Sequence, residues 1–293
     1  MKTFIPAQAA VAVVALLLST AAHAAGGHGP EIQRQQWPFA GLKGQFDKNQ
    51  LQRGFLVYKE VCSACHGLRR LSFRNLSEPG GPEFAEAAVK QLATEWPNQI
   101  PEMNDAGEIA GKGGELLKRP ARSSDPIFGP YANDAAARAA QNGALPPDLT
   151  LIAKARNVER DPHWLVHPFL MLGDIFRGYQ EGGADYVYAL LTGYTDAPAD
   201  VKVNDGMYYN NAFPGHQLAM PAPLSEDRLT EKDGYLLPPT VENMARDVTA
   251  FLSWTADPSL NQRKRIGWQV MLYLLVTTLL LYLGKRRIWS KLH

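Results

Sequence analysis

The sequence contains few cysteines and almost no net charge. Only two cysteines occur among its 293 residues, which excludes the disulfide framework that stabilises many exported domains. The 30 basic and 29 acidic residues leave a formal net charge of +1, so the chain presents no basic field for nucleic acid. No internal repeat occurs, and no segment shows the alternation typical of a β-strand. With 45% hydrophobic and 20% charged residues, the composition is that of a globular chain.

Two long apolar runs are present, and the first lies at the N-terminus. Met1 and Lys2 form a short basic start, and the apolar stretch that follows is densest at residues 11–18. The sequence Ala-His-Ala at residues 22–24 then fits an A-x-A cleavage signal. We interpret residues 1–24 as the signal peptide of a bacterial exported protein. A permanent anchor is disfavoured because the run is short and ends in small residues.

The second run, residues 267–284, contains no charged residue. At about 1.5 Å per residue it spans roughly 27 Å as a helix, close to the thickness of a bilayer core. Basic triplets at residues 263–265 and 285–287 flank it, and aromatic residues lie near both ends, as in membrane anchors. These flanks argue against a buried core helix. We predict a transmembrane anchor with a short cytoplasmic tail at residues 263–293. We expect the outer triplet, residues 263–265, to bind lipid headgroups.

One exported domain, residues 25–262, lies between the runs, and its periodicity predicts a mainly α fold with long loops. Apolar residues recur at helical spacing in four segments, residues 47–65, 133–141, 185–192 and 240–254. Gly54 lowers helix stability inside the first segment, which predicts close approach by another helix. The remaining residues are rich in proline and glycine, so we expect them to form loops.

The two cysteines belong to the sequence Cys62-Ser63-Ala64-Cys65-His66, which matches the C-x-x-C-H signature of covalent haem attachment. This spacing lets two thiols reach two vinyl groups on one porphyrin edge while the histidine turns its imidazole toward the iron. A redox-active C-x-x-C pair does not need the histidine, and a zinc site needs a second Cys or His pair at finger spacing. We therefore predict one haem c, with thioethers from Cys62 and Cys65 and with His66 as an axial ligand.

The motif does not fix the second axial ligand. A thioether sulfur suits an electron-transfer haem because it raises the reduction potential. Four methionines of the exported domain lie outside the apolar stripe of a helix: Met103, Met171, Met207 and Met220. Met220 is modestly favoured, because Pro221 and Pro223 stiffen its loop and lower the entropy cost of holding a weak ligand. His216 is the alternative, since two histidines are also a common ligand pair.

Several stretches beyond the haem motif form a recognisable set that runs the length of the exported chain. They read RGFLVYKEVCSACH, AAARAAQNGALPPDLT, DYVYALLTGY, MYYNNAFPGHQLAMP and, at the two ends of the anchor, RKRIGWQVM and KRRIWSKL. Small soluble cytochromes c share only the first. Together the stretches resemble the cytochrome c1 family, the haem subunits of ubiquinol–cytochrome c oxidoreductase (the cytochrome bc1 complex), in a bacterial version. The expected fold is a mainly α c-type cytochrome domain with long loops and one C-terminal transmembrane helix.

The resemblance carries expectations for individual residues of the haem site. It implies Met220 as the second axial ligand and Arg156 as the partner of a haem propionate. It also implies that Pro147 lies in a loop beside His66. A main-chain carbonyl of that loop would accept the Nδ1 proton of the histidine and fix its orientation.

The resemblance also implies partners and a cellular location. Members of the family take electrons from the Rieske iron–sulfur protein, pass them to a soluble or membrane-tethered cytochrome c, and assemble with cytochrome b in a dimeric complex. We therefore expect a single-electron carrier subunit in the bacterial inner membrane, with its haem domain in the periplasm. The chain is expected to have no catalytic residue of its own and to act in catalysis only as part of the complex.

Two other functions fit part of the pattern. A free-standing membrane cytochrome c that feeds a terminal oxidase would purify without cytochrome b. A haem peroxidase or gas-binding protein needs an open sixth coordination position, and peroxidases of this type usually carry a second C-x-x-C-H motif, which the sequence lacks. The haem motif excludes a purely structural role.

Two regions remain outside these motifs. Residues 157–177 look like an insertion relative to the mitochondrial members, and His163 and His167 within it have a spacing that would suit a metal, although packing of a surface loop is the simpler interpretation. Residues 78–115 hold eight acidic residues against two lysines. A solvated acidic face is one account of this segment, and steering of a basic cytochrome c is the other. For the second account we predict docking at three carboxylates, those of Glu102, Asp105 and Glu108.

Overall fold

The structure is a computed structural model that describes residues 30, 32–98, 100–102, 117–156, 169, 172–173 and 181–290. The predicted signal peptide lies outside these residues. The described part is mainly α, as predicted. Its α-helices are α1 (Lys48–Glu60), α2 (Glu86–Thr94), α3 (Asp134–Ala140), α4 (Ile152–Ala155), α5 (Gly182–Thr192), α6 (Val241–Ala256) and α7 (Leu260–Trp289), and short 3-10 helices lie at Cys62–Ala64, Phe73–Ser77 and Glu231–Asp233.

Helices α1 and α6 cross at the centre of the core. At the crossing, a Cβ atom added to Gly54 would lie 2.1 Å from the main-chain oxygen of Asp247 and 2.7 Å from Cβ of Phe251. Only glycine therefore permits this approach, as the sequence predicted. The contact buries aromatic rings from both helices, including Phe55 and Phe251, whose centroids lie 5.6 Å apart. The buried carboxylate of Asp247 accepts two hydrogen bonds from Arg53, of 2.7 and 3.1 Å.

The described residues contain three two-stranded antiparallel ladders between the helices. Strand β1 (Leu68–Ser72) pairs with β4 (Pro126–Ile127), β2 (Ile100–Pro101) with β3 (Lys118–Arg119), and β5 (Tyr208–Tyr209) with β6 (Gln217–Leu218). Five of these strands have two residues, too few to show an alternating pattern, so the sequence carries no signal that predicts them. Two of the ladders shape the site described below.

Helix α7 is the one helix in the described part of the chain that is long and apolar enough to cross a membrane. Its 30 residues contain an 18-residue window with a mean hydropathy of 1.8, and none of that window is buried against the rest of the chain. Its first turns instead contact the domain. Lys264 donates hydrogen bonds to the main-chain oxygens of Phe39 and Gly44, at 2.7 and 2.9 Å, and Arg263 pairs with Asp257. Two residues of the outer basic triplet, which we expected to bind lipid, thus bind the domain, and only the third, Arg265, is exposed without such a contact.

Candidate functional site

An apolar cavity of about 480 Å3 lies where the end of α1, helices α4 to α6 and the loop after β6 meet. Its walls are mostly aliphatic, with α5 contributing Val187 and Leu190 and α6 contributing Val248 and Leu252. The residues predicted to hold or contact a haem all line it, although they come from separate parts of the sequence: Cys62, Cys65, His66, Pro147, Arg156 and Met220.

The cysteine motif leaves α1 in a tight turn. The main-chain nitrogens of Cys65 and His66 both donate to the carbonyl of Cys62, at 3.1 and 2.9 Å. The Tyr58 hydroxyl of α1 donates to the His66 carbonyl at 3.1 Å and ties the end of the motif to the core. Burial, with a smaller contribution from Cys65, raises the pKa of the Cys62 thiol to about 12. Both cysteines line the cavity, and the raised pKa keeps the Cys62 thiol neutral.

The orientation of the His66 ring follows from a hydrogen bond at its Nδ1. Its Nδ1 lies 2.7 Å from the main-chain oxygen of Pro147, and because a carbonyl oxygen can only accept, Nδ1 carries the proton. Burial lowers the pKa of His66, although the bond to Pro147 opposes that effect. A neutral imidazole with a free Nε2 lone pair results, which is the form that binds iron.

Two hydrogen bonds between the residues after the motif and the loop before α4 place Pro147 beside His66. The Leu149 nitrogen donates to the Gly67 carbonyl at 2.9 Å, and the Asp148 carboxylate accepts from the Arg69 nitrogen at 2.7 Å. Gly67 has no room for a side chain, since an added Cβ would lie 2.5 Å from the Gly129 nitrogen. The loop that carries Pro147 is therefore fixed to the residues that follow the motif.

The β5–β6 hairpin positions Met220 at the cavity, two residues beyond β6. The Tyr194 hydroxyl donates to the Met220 carbonyl at 3.0 Å. Burial raises the pKa of Tyr194, so the hydroxyl keeps its proton and remains a donor. The two predicted axial ligands are thus held in the same way, each by a tyrosine hydroxyl on its own main-chain carbonyl.

The alternative ligand, His216, is used within the hairpin. Its ring stacks on Tyr209 with centroids 5.5 Å apart, and its Nδ1 lies 3.1 Å from the Asn210 carbonyl. Neither His216 nor Met207 lines the cavity. Met103 and Met171, the other candidates, lie outside the described residues.

The remaining predicted residues are only partly described. Glu102 directly follows β2. Its carboxylate is 3.8 Å from Nε of Arg119, and nearly half of its side chain is exposed. Asp105 and Glu108 lie outside the described residues, as do His163 and His167.

The cavity fits a c-type haem by the chemistry of its lining. It offers two thiols on one wall, an oriented imidazole, a thioether sulfur and aliphatic walls, which are the groups that attach, ligate and enclose such a haem. It also offers two guanidinium groups, from Arg156 and Arg228, for the carboxylates of the porphyrin.

Comparison with known proteins gives a consistent picture. A family model described as the Cytochrome C1 family matches residues 37–292. Cytochrome c1 of Blastochloris viridis is 44% identical over 271 residues, which cover 92% of this chain and 90% of that protein. Cytochrome c1 of Rhodospirillum rubrum is 38% identical over 305 residues, which cover 99% and 98%. Cytochrome b/c1 of Bradyrhizobium diazoefficiens is 44% identical over 259 residues, and this chain spans about a third (35%) of its length.

Proposed function

The chain belongs to the cytochrome c1 family, an electron carrier with covalent haem c, and from that premise we propose that it is the haem subunit of ubiquinol–cytochrome c oxidoreductase. In this role it accepts single electrons from the Rieske iron–sulfur protein and reduces a soluble or membrane-tethered cytochrome c. Haem c supplies a ferric/ferrous couple for one electron at a time. The protein supplies attachment, ligands, orientation and exclusion of water.

The proposed roles follow the cavity lining. Cys62 and Cys65 would form the thioethers, and Nε2 of His66 would bind the iron, because its Nδ1 proton is donated to the Pro147 carbonyl. Met220 would supply the second protein ligand of the iron, and Arg156 would bind a propionate. The aliphatic walls keep water away from the iron, which stabilises the reduced, less charged state.

One observation carries the proposal: an imidazole and a thioether from distant segments line one cavity beside two thiols. A second protein ligand fills the coordination position that a peroxidase or gas-binding protein keeps open. The observation therefore favours electron transfer over those activities.

The partners and location are part of the proposal. Cytochrome b/c1 of Bradyrhizobium diazoefficiens combines, by its name, a cytochrome b with a cytochrome c1, which supports cytochrome b as the partner of this chain. We place residues 1–24 as a signal peptide, 25–262 as a periplasmic haem domain and 263–293 as an anchor in the inner membrane with its end in the cytoplasm. The complex is proposed to be a dimer, with lipid around α7.

The acidic segment is proposed as the docking surface for cytochrome c, through Glu102, Asp105 and Glu108. In the described part of this segment, Glu86, Glu95 and Glu102 are all exposed. A basic partner would be attracted over about 10 Å at 0.1 M salt.

Extraction of membranes in mild detergent, followed by identification of the subunits that co-purify with this chain, tests the proposal. We expect cytochrome b and a Rieske protein, and covalent haem that survives denaturation of the chain. The matched control is the double variant Cys62→Ser, Cys65→Ser, in which the haem should be lost on denaturation. Purification of the haem-loaded chain without cytochrome b would instead support the free-standing cytochrome that feeds a terminal oxidase.

A further inference from the structure

The cavity has an uneven charge. Arg156 and Arg228 line it, whereas no lysine, aspartate or glutamate does so in the described part of the chain. Both arginines are exposed, so their guanidinium groups lie at the rim, where the cavity meets solvent. Among the described residues, the mouth of the cavity therefore carries two positive charges and no carboxylate that would balance them.

Arg228 reaches the rim from a turn that is fixed on both sides. Leu224 and Leu229, which are 6% and 4% exposed, anchor the turn in the core. Between them the Arg228 nitrogen donates to the Ser225 carbonyl at 3.2 Å. Asp227 adopts a φ of +56°, a left-handed conformation that aspartate tolerates better than most residues. The position of the Arg228 main chain is thus set by packing before any ligand binds.

Within the described part of the chain, both guanidinium groups lack an ion-pair partner. Among the described residues, no carboxylate forms an ion pair with Arg156 or Arg228, whereas Arg53, Arg119 and Arg263 all have such a partner. A guanidinium presents a rigid fork of N–H donors that matches a carboxylate with two parallel hydrogen bonds. Two such guanidinium groups at the rim can bind two carboxylates of the molecule that fills the cavity.

We propose that Arg228 binds the second propionate of the haem, so that the two arginines hold one propionate each. A c-type haem loses its vinyl groups to the cysteines but keeps both propionates, which supply the two missing negative charges. The inference rests on the proposed function, because it needs a haem in this cavity. It adds a second anchoring residue in a loop that also carries Met220, so that one segment binds both the iron and the porphyrin edge.

Removing the Arg228 charge should have two effects on the attached haem. The potential should fall, because a nearby cation disfavours the more positive ferric state. We expect the equilibrium constant for haem reduction to decrease about tenfold in Arg228→Gln, equivalent to 59 mV for one electron. The freed propionate should also titrate at higher pH, because it has lost a neighbouring opposite charge. The pH at which the potential starts to fall should therefore move upward.

The experiment is a redox titration of the full chain, loaded with haem, between pH 5 and 9. Arg228→Lys keeps the charge and should restore most of the potential and its pH dependence. Arg74→Gln removes an exposed arginine that does not line the cavity and should change neither. If Arg228→Gln leaves both quantities at the wild-type values, the inference is wrong. It is also wrong if Arg228→Lys fails to restore them, since packing of the side chain would then be the cause.

A second measurement covers a variant that does not mature. Resonance Raman spectra of wild type and Arg228→Lys report the bending mode of the haem propionates, which depends on their hydrogen bonds. We expect this mode to shift in Arg228→Lys and to stay unchanged in Arg74→Gln; an unchanged mode in Arg228→Lys overturns the inference. A wild-type chain with no covalent haem would overturn the proposed function itself, a result that the titration of a loaded chain cannot give.

Discussion

His66 and Met220 approach the cavity from segments far apart in sequence, and the chain fixes both through main-chain carbonyls. Tyr58 binds the carbonyl of His66 and Tyr194 that of Met220, at 3.1 and 3.0 Å. A thioether is a weak ligand, so its loop must be ordered before it can compete with water. The Tyr194 bond and the β5–β6 hairpin provide that order.

Met220→Leu tests the second axial ligand. The covalent haem should remain, since Cys62, Cys65 and His66 are untouched. The sixth position should open, so that carbon monoxide binds the reduced iron and the potential falls. Absorbance spectra and a redox titration measure both effects.

Met244→Leu is the matched control, because Met244 is fully buried in α6 and does not line the cavity. The reduced haem of Met244→Leu should not bind carbon monoxide, and its reduction potential should equal that of the wild type. Met220→Leu with an unchanged potential and no carbon monoxide binding would show that another residue is the ligand.

At this scale the sequence predicted residues that line the cavity, whereas it did not predict the residues that hold them in place. The C-x-x-C-H spacing identifies the thiols and the imidazole because the cofactor dictates it. The resemblance to the family pointed to Met220. No local signal indicated Tyr58, Tyr194 or Arg228, since their contacts depend on which distant segments meet in the fold.

At the scale of secondary-structure elements, the site depends on the crossing of α1 and α6. Helix α1 leads into the cysteine motif, and α6 forms a wall of the cavity. The Asp247 carboxylate at the crossing also accepts a 2.9 Å hydrogen bond from the Tyr235 hydroxyl. One buried side chain thereby joins α6 to α1, through Arg53, and to the loop that precedes α6.

Gly54→Ala should destabilise this crossing. The added methyl group would meet the Asp247 main chain, which cannot rotate away, so we expect a loss of about 1–3 kcal/mol in unfolding free energy, as for overpacked cores. Thermal unfolding of the full chain in detergent measures it.

Gly267→Ala is the control for that substitution, because an added Cβ there meets nothing within 4 Å. It should leave the midpoint unchanged or raise it slightly, given the higher helix propensity of alanine. Equal midpoints for Gly54→Ala and wild type would show that the helices do not approach as closely as described.

The junction between the domain and α7 depends on Asp257. This carboxylate is 5% exposed and accepts hydrogen bonds from Lys154 at 3.0 Å and from Arg263 at 2.6 and 3.1 Å. Burial alone would raise the pKa of Asp257, but the bonds from Arg263 and Lys154 outweigh it and lower the pKa. Because Lys154 belongs to α4, two residues before Arg156, the junction links the anchor to a wall of the cavity.

Asp257→Asn should lower stability by about 1–3 kcal/mol at neutral pH, as expected for lost hydrogen bonds to a charged group. The folded pKa lies below the ordinary aspartate value of about 3.9. The stabilisation by Asp257 is therefore complete above that value and disappears as the pH falls through the lowered pKa.

Thermal midpoints of wild type and Asp257→Asn should accordingly differ most at pH 7 and differ less at pH 3, as the pH falls toward the lowered pKa. Asp200→Asn, at an exposed carboxylate, should match wild type at both values. A difference that grows as the pH falls would contradict the assignment of Asp257 as the charged partner.

Helical periodicity predicted the longer elements well and their ends less well. The segment at residues 240–254 corresponds to α6, and Thr240 caps it as an acceptor for the Asn243 nitrogen. The segment at residues 47–65 ends earlier, at Glu60, because the motif must leave the helix to turn its thiols and imidazole toward the cavity. Hydrophobic periodicity does not predict this early end of the helix, because the requirement comes from the cofactor.

For the whole molecule, the contacts between the first turns of α7 and the domain join the candidate membrane span to the part of the chain that holds the cavity. Asn261 accepts from the Phe46 nitrogen at 2.9 Å and, with Lys264, ties the first turns of α7 to the N-terminal segment. The anchor is therefore joined to the domain by several side-chain contacts. A soluble fragment designed to keep them should end after Arg265.

In our proposal, the acidic segment attracts cytochrome c when the two proteins first meet. Changing Glu102, Asp105 and Glu108 to lysine should slow reduction of a basic cytochrome c at low salt and have little effect at high salt, where exposed charges are screened. Stopped-flow kinetics at several ionic strengths measure this.

The matched control changes three exposed carboxylates outside the segment, those of Asp196, Asp200 and Asp205, to lysine. It makes the same change in net charge and should retain faster reduction at low salt. Equal rates for the two triple variants would show that only net charge matters and that the acidic segment is a solvated face.

The central claim is that this chain relays electrons from ubiquinol through a haem held by His66 and Met220. Its most direct test is the extent of haem reduction when ubiquinol is mixed with the complex extracted in mild detergent. We predict that the wild-type haem is reduced, whereas Met220→Leu assembles with cytochrome b, keeps its covalent haem and remains oxidised, because each 59 mV lost lowers the equilibrium constant about tenfold. Reduction of the Met220→Leu haem to the wild-type extent, or a wild-type haem that ubiquinol does not reduce, would contradict the claim.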